Sequence, residues 1–99
     1  MMKLRINPLV AKDLKSIKDF IAEDNADKAL ETVQEIYHQF ENIQQFPYIG
    51  AYLSKRVSFK TYYKYVVWED CVVLYKVSKD AVEIYRVVNR YQDVTRIFV

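Results

Sequence analysis

Three closely spaced apolar segments in the last third of the chain place the strongest constraint on its fold. Residues 62–68, 71–78 and 81–89 are rich in Val, Ile and Tyr, residue types that favour β-strands. Only two or three residues separate one segment from the next. Connections this short can join strands only as hairpins, because a parallel crossover needs a dozen residues or more. The sequence therefore predicts an antiparallel three-stranded meander.

A strand and a helical hairpin are predicted ahead of this meander. Residues 3–6 alternate polar and apolar, as a half-buried strand does. Asn7 followed by Pro8 is a typical helix start, with Asn as the N-cap and Pro at the first helical position. The helix is expected over residues 8–24. Its predicted apolar stripe consists of Val10, Leu14, Ile17 and Ile21.

A second helix is predicted over residues 26–46, with Asn25 as its N-cap. Pro47 and Gly50 end it, and residues 53–60 form either an edge strand or an extended basic loop. Its apolar stripe is predicted to be Ala26, Leu30, Val33, Tyr37, Phe40 and Ile43. Neither helical stripe can be buried by the other helix alone, so the hairpin should lie on the sheet. The prediction is one α+β domain over residues 1–99, with an N-terminal strand and a helical hairpin packed on an antiparallel sheet.

Composition excludes several classes of protein. A single cysteine, Cys71, rules out an internal disulfide and a cysteine cluster for zinc, and its apolar strand predicts a buried, inert thiol. Gly-rich phosphate loops, Ser-His-Asp arrangements and His-rich clusters are absent, so no cofactor and no metal are expected. No apolar run approaches the length of a membrane span. A cytoplasmic protein without membrane contact is therefore predicted.

The charge is distributed unevenly between the two halves of the chain. Residues 1–50 carry six Lys or Arg and eight Asp or Glu, a net −2, and residues 51–99 carry nine and five, a net +4. Seven of the nine tyrosines also lie in the second half. Basic and aromatic residues together are typical of a surface that binds nucleic acid or another macromolecule. The alternative is that these charges only solvate the outer faces of the strands.

One residue of the last strand breaks the apolar alternation. Val82, Ile84 and Val88 would face the helices, and Arg86 shares their side of the strand. An arginine on that side needs a carboxylate partner, because an unpaired buried charge costs several kcal/mol. Arg86 is therefore assigned a structural role, tying the strand to a helix or to the C-terminal tail. The candidate partners are Asp93, Asp13 and Glu23.

The order of these segments resembles the RelE/ParE toxin superfamily over essentially the whole chain. The last strand is similar to the family ending Ile-x-Arg-Val/Ile-x-His-x-Arg-x-Asp. Asn89 stands in the His place, and Arg90 lies one position before the family Arg. The positions that fit are Ile84, Arg86, Val87, Arg90 and Asp93. Further matches are the turn at residues 46–50, the strand at 72–77, and Asp13, Leu14, Ile17 and Ile21 on the first helix.

The resemblance implies the toxin of a type II toxin–antitoxin pair, often involved in plasmid stabilisation, that forms a hetero-oligomer with a cognate antitoxin. Two targets are implied by different branches of the superfamily. The first is messenger RNA on the ribosome, cut by a metal-independent endoribonuclease, and this target is placed first. The second is DNA gyrase, inhibited without catalysis. A third possibility is a non-toxic interaction module with the same fold.

RNA cleavage needs a base, an acid and cations around the transition state. Alignment with the ribonuclease branch places Val72 where that branch has a strand Arg, which weighs against cleavage, as does Asn89 in the His place. The candidate catalytic residues are Arg90, for charge stabilisation, and Tyr91, for stacking or proton transfer. The structural role assigned to Arg86 is extended to Asp93. The candidate target-binding residues are Lys55, Arg56, Lys60, Lys64 and Asn89. For each lysine the alternative is a solvated charge on a strand face.

Overall fold

A computed structural model describes residues 2–89 of the chain. The predicted tail and three of the candidate residues, Arg90, Tyr91 and Asp93, lie outside the described residues. Strand β1 (Lys3–Ile6) is followed by helix α1 (Leu9–Ala22) and helix α2 (Ala26–Gln45). The remaining elements are β2 (Ala51–Tyr52), a 3₁₀ turn (Leu53–Lys55), β3 (Lys64–Trp68), β4 (Cys71–Val77) and β5 (Ala81–Asn89).

The described strands form one sheet in the order β1-β5-β4-β3-β2. β3, β4 and β5 pair antiparallel in sequence order, so the predicted meander is confirmed. β1 lies parallel to β5 at one edge, and the two-residue β2 pairs antiparallel with β3 at the other. Both helices pack on one face of this sheet, as the α+β prediction requires. Residues 53–60 are not an edge strand: a 3₁₀ turn over Leu53–Lys55 follows β2, and residues 56–60 form a basic loop, the second predicted alternative.

Helix α2 begins at its predicted cap, Asn25, whereas α1 begins at Leu9, with Pro8 rather than Asn7 as its N-cap. The Asn7 side chain accepts a hydrogen bond from the backbone N–H of Leu9 at 2.9 Å. The Asn25 side chain accepts one from the backbone N–H of Lys28 at 3.0 Å. Each bond satisfies an N–H group that has no partner within the first helical turn. Local sequence therefore determines where α1 and α2 start.

The buried stripe of α2 differs from the predicted one. Leu30 and Tyr37 are 52% and 43% exposed, and Ala26 is exposed as well. Phe40 and Ile43 are buried as predicted, and the other buried residues of α2 are Ala29, Thr32 and Ile36. The apolar residues of α2 occupy two neighbouring stripes, because successive residues of a helix are about 100° apart. Contact with α1 and the sheet covers one of these stripes and leaves the other exposed.

A β-bulge in β5 corrects the predicted alternation. Leu74 pairs with Arg86 and Tyr75 pairs with Ile84, so Tyr85 is an extra residue opposite this step of β4. The Arg86 side chain still reaches Asp13 of α1, and the bulge reverses the facing of the side chains that follow Arg86. Val87, rather than Val88, therefore joins the core beneath the helices. The prediction that Val88 faces the helices is wrong.

The sheet carries a second apolar cluster on the face opposite the helices. We call it the far-face cluster, and its buried members are Leu53, Val72, Leu74 and Val88. Leu53, which is 2% exposed, brings the 3₁₀ turn onto the sheet. Val57, Tyr63, Tyr65 and Tyr85 pack around this cluster. Apolar side chains therefore cover the part of the sheet that the helices do not.

Candidate functional site

Three of the candidate target-binding residues lie together on the exposed segment between β2 and β3. Lys55, Arg56 and Lys60 are all exposed, as predicted. Arg56 is held in one position, because its Nε donates a hydrogen bond to the Tyr65 hydroxyl at 2.9 Å. Its guanidinium carbon lies 5.7 Å from the centre of the Tyr65 ring. This segment therefore presents three positive charges to solvent.

Lys64 lies in a different environment. It is only 5% exposed, and its Nζ lies 3.7 Å from the centre of the Tyr52 ring and 5.9 Å from that of Tyr48. Its partner in the β2–β3 register is Tyr52, which explains the closer contact. An ammonium group over an aromatic face is attracted by the negative charge density of the ring. The alternative of a solvated strand-face charge is therefore wrong for Lys64.

The candidate residues do not converge on one centre within the described part of the chain. Asn89 pairs with Cys71 at the first residue of β4, whereas Lys64 pairs with Tyr75, four residues further along the same strand. At a rise of about 3.3 Å per residue, these two positions are about 13 Å apart along β4. Asn89 also lines a cavity of about 340 Å³ together with Ile17, Phe20 and Cys71, on the helix side of the sheet. Asn89 and Lys64 therefore belong to separate surfaces.

The position that the ribonuclease branch fills with arginine is apolar here and lies in the far-face cluster. Val72 is 7% exposed and packs with Leu53, Leu74 and Val88. A phosphate group brought to this position would have to displace or penetrate apolar side chains, which carry no hydrogen-bond donor. The buried side chains that surround Val72 (Leu53, Leu74 and Val88) therefore supply no cation to the charged transition state of RNA cleavage.

Arg86 is paired with Asp13 of α1. Its Nε and Nη2 donate to the two carboxylate oxygens of Asp13, each at 2.8 Å, and the backbone N–H of Val87 donates to Asp13 Oδ2 at 3.0 Å. Hydrogen bonding to Asp13 raises the pKa of Arg86 above its usual value. Of the suggested carboxylates that lie within residues 2–89, Asp13 is the one that pairs with Arg86. The pair fixes α1 against the bulge of β5.

A buried tyrosine holds the turn that follows α2, and sequence reasoning missed it. Tyr75 is fully buried; its hydroxyl accepts a hydrogen bond from the Gly50 N–H and donates one to the Pro47 carbonyl, both at 2.9 Å. A Cβ atom added to Gly50 would lie 2.5 Å from this hydroxyl and 2.7 Å from the Tyr65 carbonyl oxygen. Only glycine fits this close approach. The available signal was that Gly50 is the single glycine in the chain.

The only cysteine lies where the sequence predicted. Cys71 is buried at the start of β4, with 8% of its surface exposed. Desolvation by burial, with smaller contributions from Asp70 and Glu69, raises the pKa of its thiol. A raised pKa lowers the fraction of reactive thiolate at neutral pH. Cys71 is therefore part of the core beneath the helices.

Residues 2–89 contain neither a membrane-spanning helix nor a metal-binding cluster. None of the helices there has the length and apolar character that crossing a membrane requires. The same residues contain no group of three or more His, Cys, Asp or Glu side chains arranged to hold a metal ion.

Comparison with known proteins identifies relatives of this fold and sequence. Residues 4–94 match the family model described as "ParE toxin of type II toxin-antitoxin system, parDE". A solved structure described as "Chromosomal ParDE TA system from P. aeruginosa" superposes with a TM-score of 0.75. It is 26% identical, and the match covers 90% of this chain and 96% of that one. Among curated proteins, none matches.

Proposed function

The chain belongs to the ParE toxin family of type II toxin–antitoxin systems, and from this premise we propose that it inhibits growth by binding DNA gyrase without catalysis. A cognate antitoxin, bound in a hetero-oligomer, neutralises it. The related structure from P. aeruginosa is described as a ParDE toxin–antitoxin system, which supports such a partner. The toxin acts in the cytoplasm, where gyrase and its DNA substrate lie.

The environment of Val72 is the observation that carries the choice of gyrase over RNA. From the sequence, messenger RNA is the first of the two targets, supported by Arg90 and by the basic charge of the second half of the chain. The far-face cluster now weighs against it, because Val72 is buried among Leu53, Leu74 and Val88 where the ribonuclease branch needs a cation. Inhibition by binding requires no acid, base or phosphate-stabilising group. The apolar surroundings of Val72 are therefore compatible with a toxin that inhibits by binding.

One arginine that could have served catalysis is engaged elsewhere. Arg86 forms two hydrogen bonds with Asp13. A guanidinium group that already satisfies a carboxylate cannot also stabilise a transferring phosphate without breaking that pair. This supports a structural role for Arg86 and leaves the exposed Arg56 as part of the surface charge.

Ribosome-dependent cleavage remains the second candidate, since Lys55, Arg56 and Lys60 are exposed beside one another. A cluster of positive charge suits contact with ribosomal or messenger RNA. The candidate catalytic residues Arg90 and Tyr91 belong to this alternative.

The two candidates are separated by parallel measurements on the same protein. Purified toxin is added to DNA gyrase and relaxed plasmid, and the loss of supercoiling is followed on agarose gels. In cells, induction of the toxin is followed by an SOS reporter and by mapping of transcript ends. We expect loss of supercoiling and an SOS response with intact transcripts. The matched control is toxin mixed with its antitoxin, which should restore supercoiling.

Cut transcripts and halted translation, with supercoiling unchanged, would select RNA cleavage and overturn the proposal. Normal growth and normal supercoiling at full toxin expression would select the non-toxic interaction module. Each outcome is read from the toxin alone and does not depend on how the antitoxin binds.

A further inference from the structure

A cleft at the β2 edge of the sheet has a lining that the proposed gyrase inhibition does not use. Its volume is about 330 Å³. The side chains that matter in its lining are Tyr48, Tyr52, Tyr62, Lys64, Ser78 and Lys79. Within residues 2–89, none of the lining residues is acidic. We call this site the Lys64 cleft.

The ammonium group of Lys64 lacks an anionic partner within the described part of the chain. Lys64 is 5% exposed, and neither an ion pair nor a hydrogen bond of its Nζ is found among residues 2–89. Its contacts are the rings of Tyr52 and Tyr48. A cation–π contact stabilises the ammonium in part, but its nitrogen still reaches the cleft, where an anion would add a charge–charge attraction. The cleft is therefore built to receive a negative group.

The size and the charge of the cleft favour a single carboxylate over a nucleic-acid backbone. Nucleic-acid grooves follow the phosphates with a row of lysines and arginines. Here only Lys64 and Lys79 line the cleft, and the Lys64 ammonium is covered by the ring of Tyr52 at 3.7 Å. One acidic side chain fits this arrangement, with Lys79 adding a second positive charge.

The surroundings of the cleft favour an extended polypeptide as the source of that carboxylate. Tyr52 lies in β2, which forms one edge of the described sheet. An edge strand can pair with an added extended segment through backbone hydrogen bonds. Tyr48 and Tyr62, which are 73% and 86% exposed, provide large rings beside the cleft. Tyrosine is enriched at protein–protein interfaces because it supplies both apolar area and a polar group.

We propose that the Lys64 cleft binds an Asp or Glu side chain from an extended segment of the antitoxin. The carboxylate contacts Lys64 Nζ, and Tyr48 and Tyr62 pack against the residues on either side of it. The inference rests on the proposed function only in taking an antitoxin as the partner. It does not depend on which target the toxin inhibits.

The test uses the full-length toxin and the product of the adjacent reading frame as the antitoxin. Lys64→Met removes the charge but keeps a side chain of similar length, and Lys12→Met removes the same charge from the exposed surface of α1. Truncating one partner of a buried charge pair acts mainly on dissociation, so Lys64→Met should weaken the affinity about ten-fold or more. Lys12→Met should leave it unchanged. Both affinities are measured by isothermal titration calorimetry, with thermal unfolding of each variant as a check of folding.

A second measurement needs no variant. Carbodiimide joins a carboxylate to a neighbouring amine without a spacer, so treatment of the wild-type complex should link Lys64 to an Asp or Glu of the antitoxin. Mass spectrometry of the digested complex locates the link. Equal affinities of the wild type and Lys64→Met, or a complex in which Lys64 forms no such link, would overturn the proposal.

Two further outcomes have distinct meanings. Acetylation of the toxin is also compared in the presence of the antitoxin and of a single-stranded oligonucleotide. If the oligonucleotide, rather than the antitoxin, protects Lys64 from acetylation, the cleft binds nucleic acid and the proposal is wrong. If the wild-type toxin does not bind the adjacent gene product, both this proposal and the antitoxin part of the proposed function fail. Failure of gyrase inhibition is read separately, from the toxin alone, and leaves the cleft proposal standing.

Discussion

At the residue scale, the contact between Arg86 and Asp13 joins β5 to α1 through two residues that are 73 positions apart in sequence. Both side chains are largely withdrawn from solvent, with 24% and 10% of their surfaces exposed. Two parallel hydrogen bonds between a guanidinium and a carboxylate fix orientation as well as distance. The third bond, from the Val87 N–H, ties the carboxylate to the backbone just beyond the bulge. Asp13 thereby links α1 to the Arg86 side chain and to the backbone of β5.

Arg86→Met should lower the free energy of unfolding by about 3–5 kcal/mol, because it leaves the Asp13 carboxylate buried without its cation. Asp13→Asn together with Arg86→Met should cost less than the sum of the two single changes, since the double variant contains no unpaired charge. Urea unfolding of all four proteins measures this coupling. Unchanged stability of Arg86→Met would show that the pair has no structural role.

Tyr75→Phe removes the hydroxyl that bridges Gly50 and Pro47, which leaves a partly buried N–H and a partly buried carbonyl without this partner. We expect a loss of about 1–3 kcal/mol in the free energy of unfolding. Tyr62→Phe is the matched control, because Tyr62 is 86% exposed and should tolerate the change. Equal stability of both variants would contradict the assigned role of Tyr75.

The same tyrosine gives a pH prediction. Burial raises the pKa of Tyr75 above that of the unfolded chain, which is about 10. The neutral form is therefore favoured in the folded state, and its contribution is present in full below pH 10. As the pH rises from 10 through the folded-state pKa, that contribution is lost. The stability of Tyr75→Phe should fall less steeply over this range than that of the wild type, measured by urea unfolding at each pH.

At the element scale, local interactions determine where α2 begins, and contacts with distant segments determine which of its faces is buried. The start of α2 depends on one hydrogen bond, which the Asn25 side chain accepts from the backbone N–H of Lys28, three residues further along the chain. Its buried face depends on α1 and on the sheet, which exclude Leu30 and Tyr37 from the core. A helix can therefore begin where its sequence dictates and still expose apolar residues that a simple stripe would bury.

Asn25→Ala should lower the free energy of unfolding by about 1 kcal/mol, because the Lys28 N–H loses its acceptor. Gln34→Ala, at an exposed position of the same helix, should be neutral or slightly stabilising, since alanine favours helices. Thermal unfolding followed by circular dichroism compares the two variants. A larger effect at Gln34 than at Asn25 would refute the capping role.

At the scale of the whole molecule, positive charge is concentrated on the sheet half of the chain, with a net +4 over residues 51–99. The segment between β2 and β3 displays part of it, and its position at one edge of the sheet leaves it accessible to a large target. Complementary charge raises the rate of association and selects among partners. We propose that Lys55 and Lys60 contact the target of the toxin.

Lys55→Glu with Lys60→Glu should reduce inhibition of the target about ten-fold or more at low salt, because the local charge is reversed. Lys12→Glu with Lys18→Glu makes the same change in net charge on α1 and should retain inhibition. The measurement is the toxin concentration that halves gyrase supercoiling, repeated at two salt concentrations. Equal loss in both double variants would assign the effect to net charge alone.

The sequence by itself determined the features that depend on neighbouring residues. The short connections allowed only an antiparallel meander of β3, β4 and β5. The side chains of Asn7 and Asn25 accept hydrogen bonds at the starts of α1 and α2. Both features depend on bonds between residues that are close in the chain. The exposure of Lys55 and Lys60 followed from the polar character of their segment. The need of Arg86 for a carboxylate followed from the cost of burying a charge.

Only the tertiary structure decided the features that depend on packing between distant segments. The bulge at Tyr85 exchanged the facing of Val87 and Val88, and no local pattern marks where a strand gains a residue. The choice of Asp13 for Arg86 and the burial of Lys64 against Tyr52 were likewise fixed by which elements meet. Hydrogen bonds between neighbouring residues can be predicted from the sequence. The partner of a buried charge depends instead on which distant segments pack together in the folded chain.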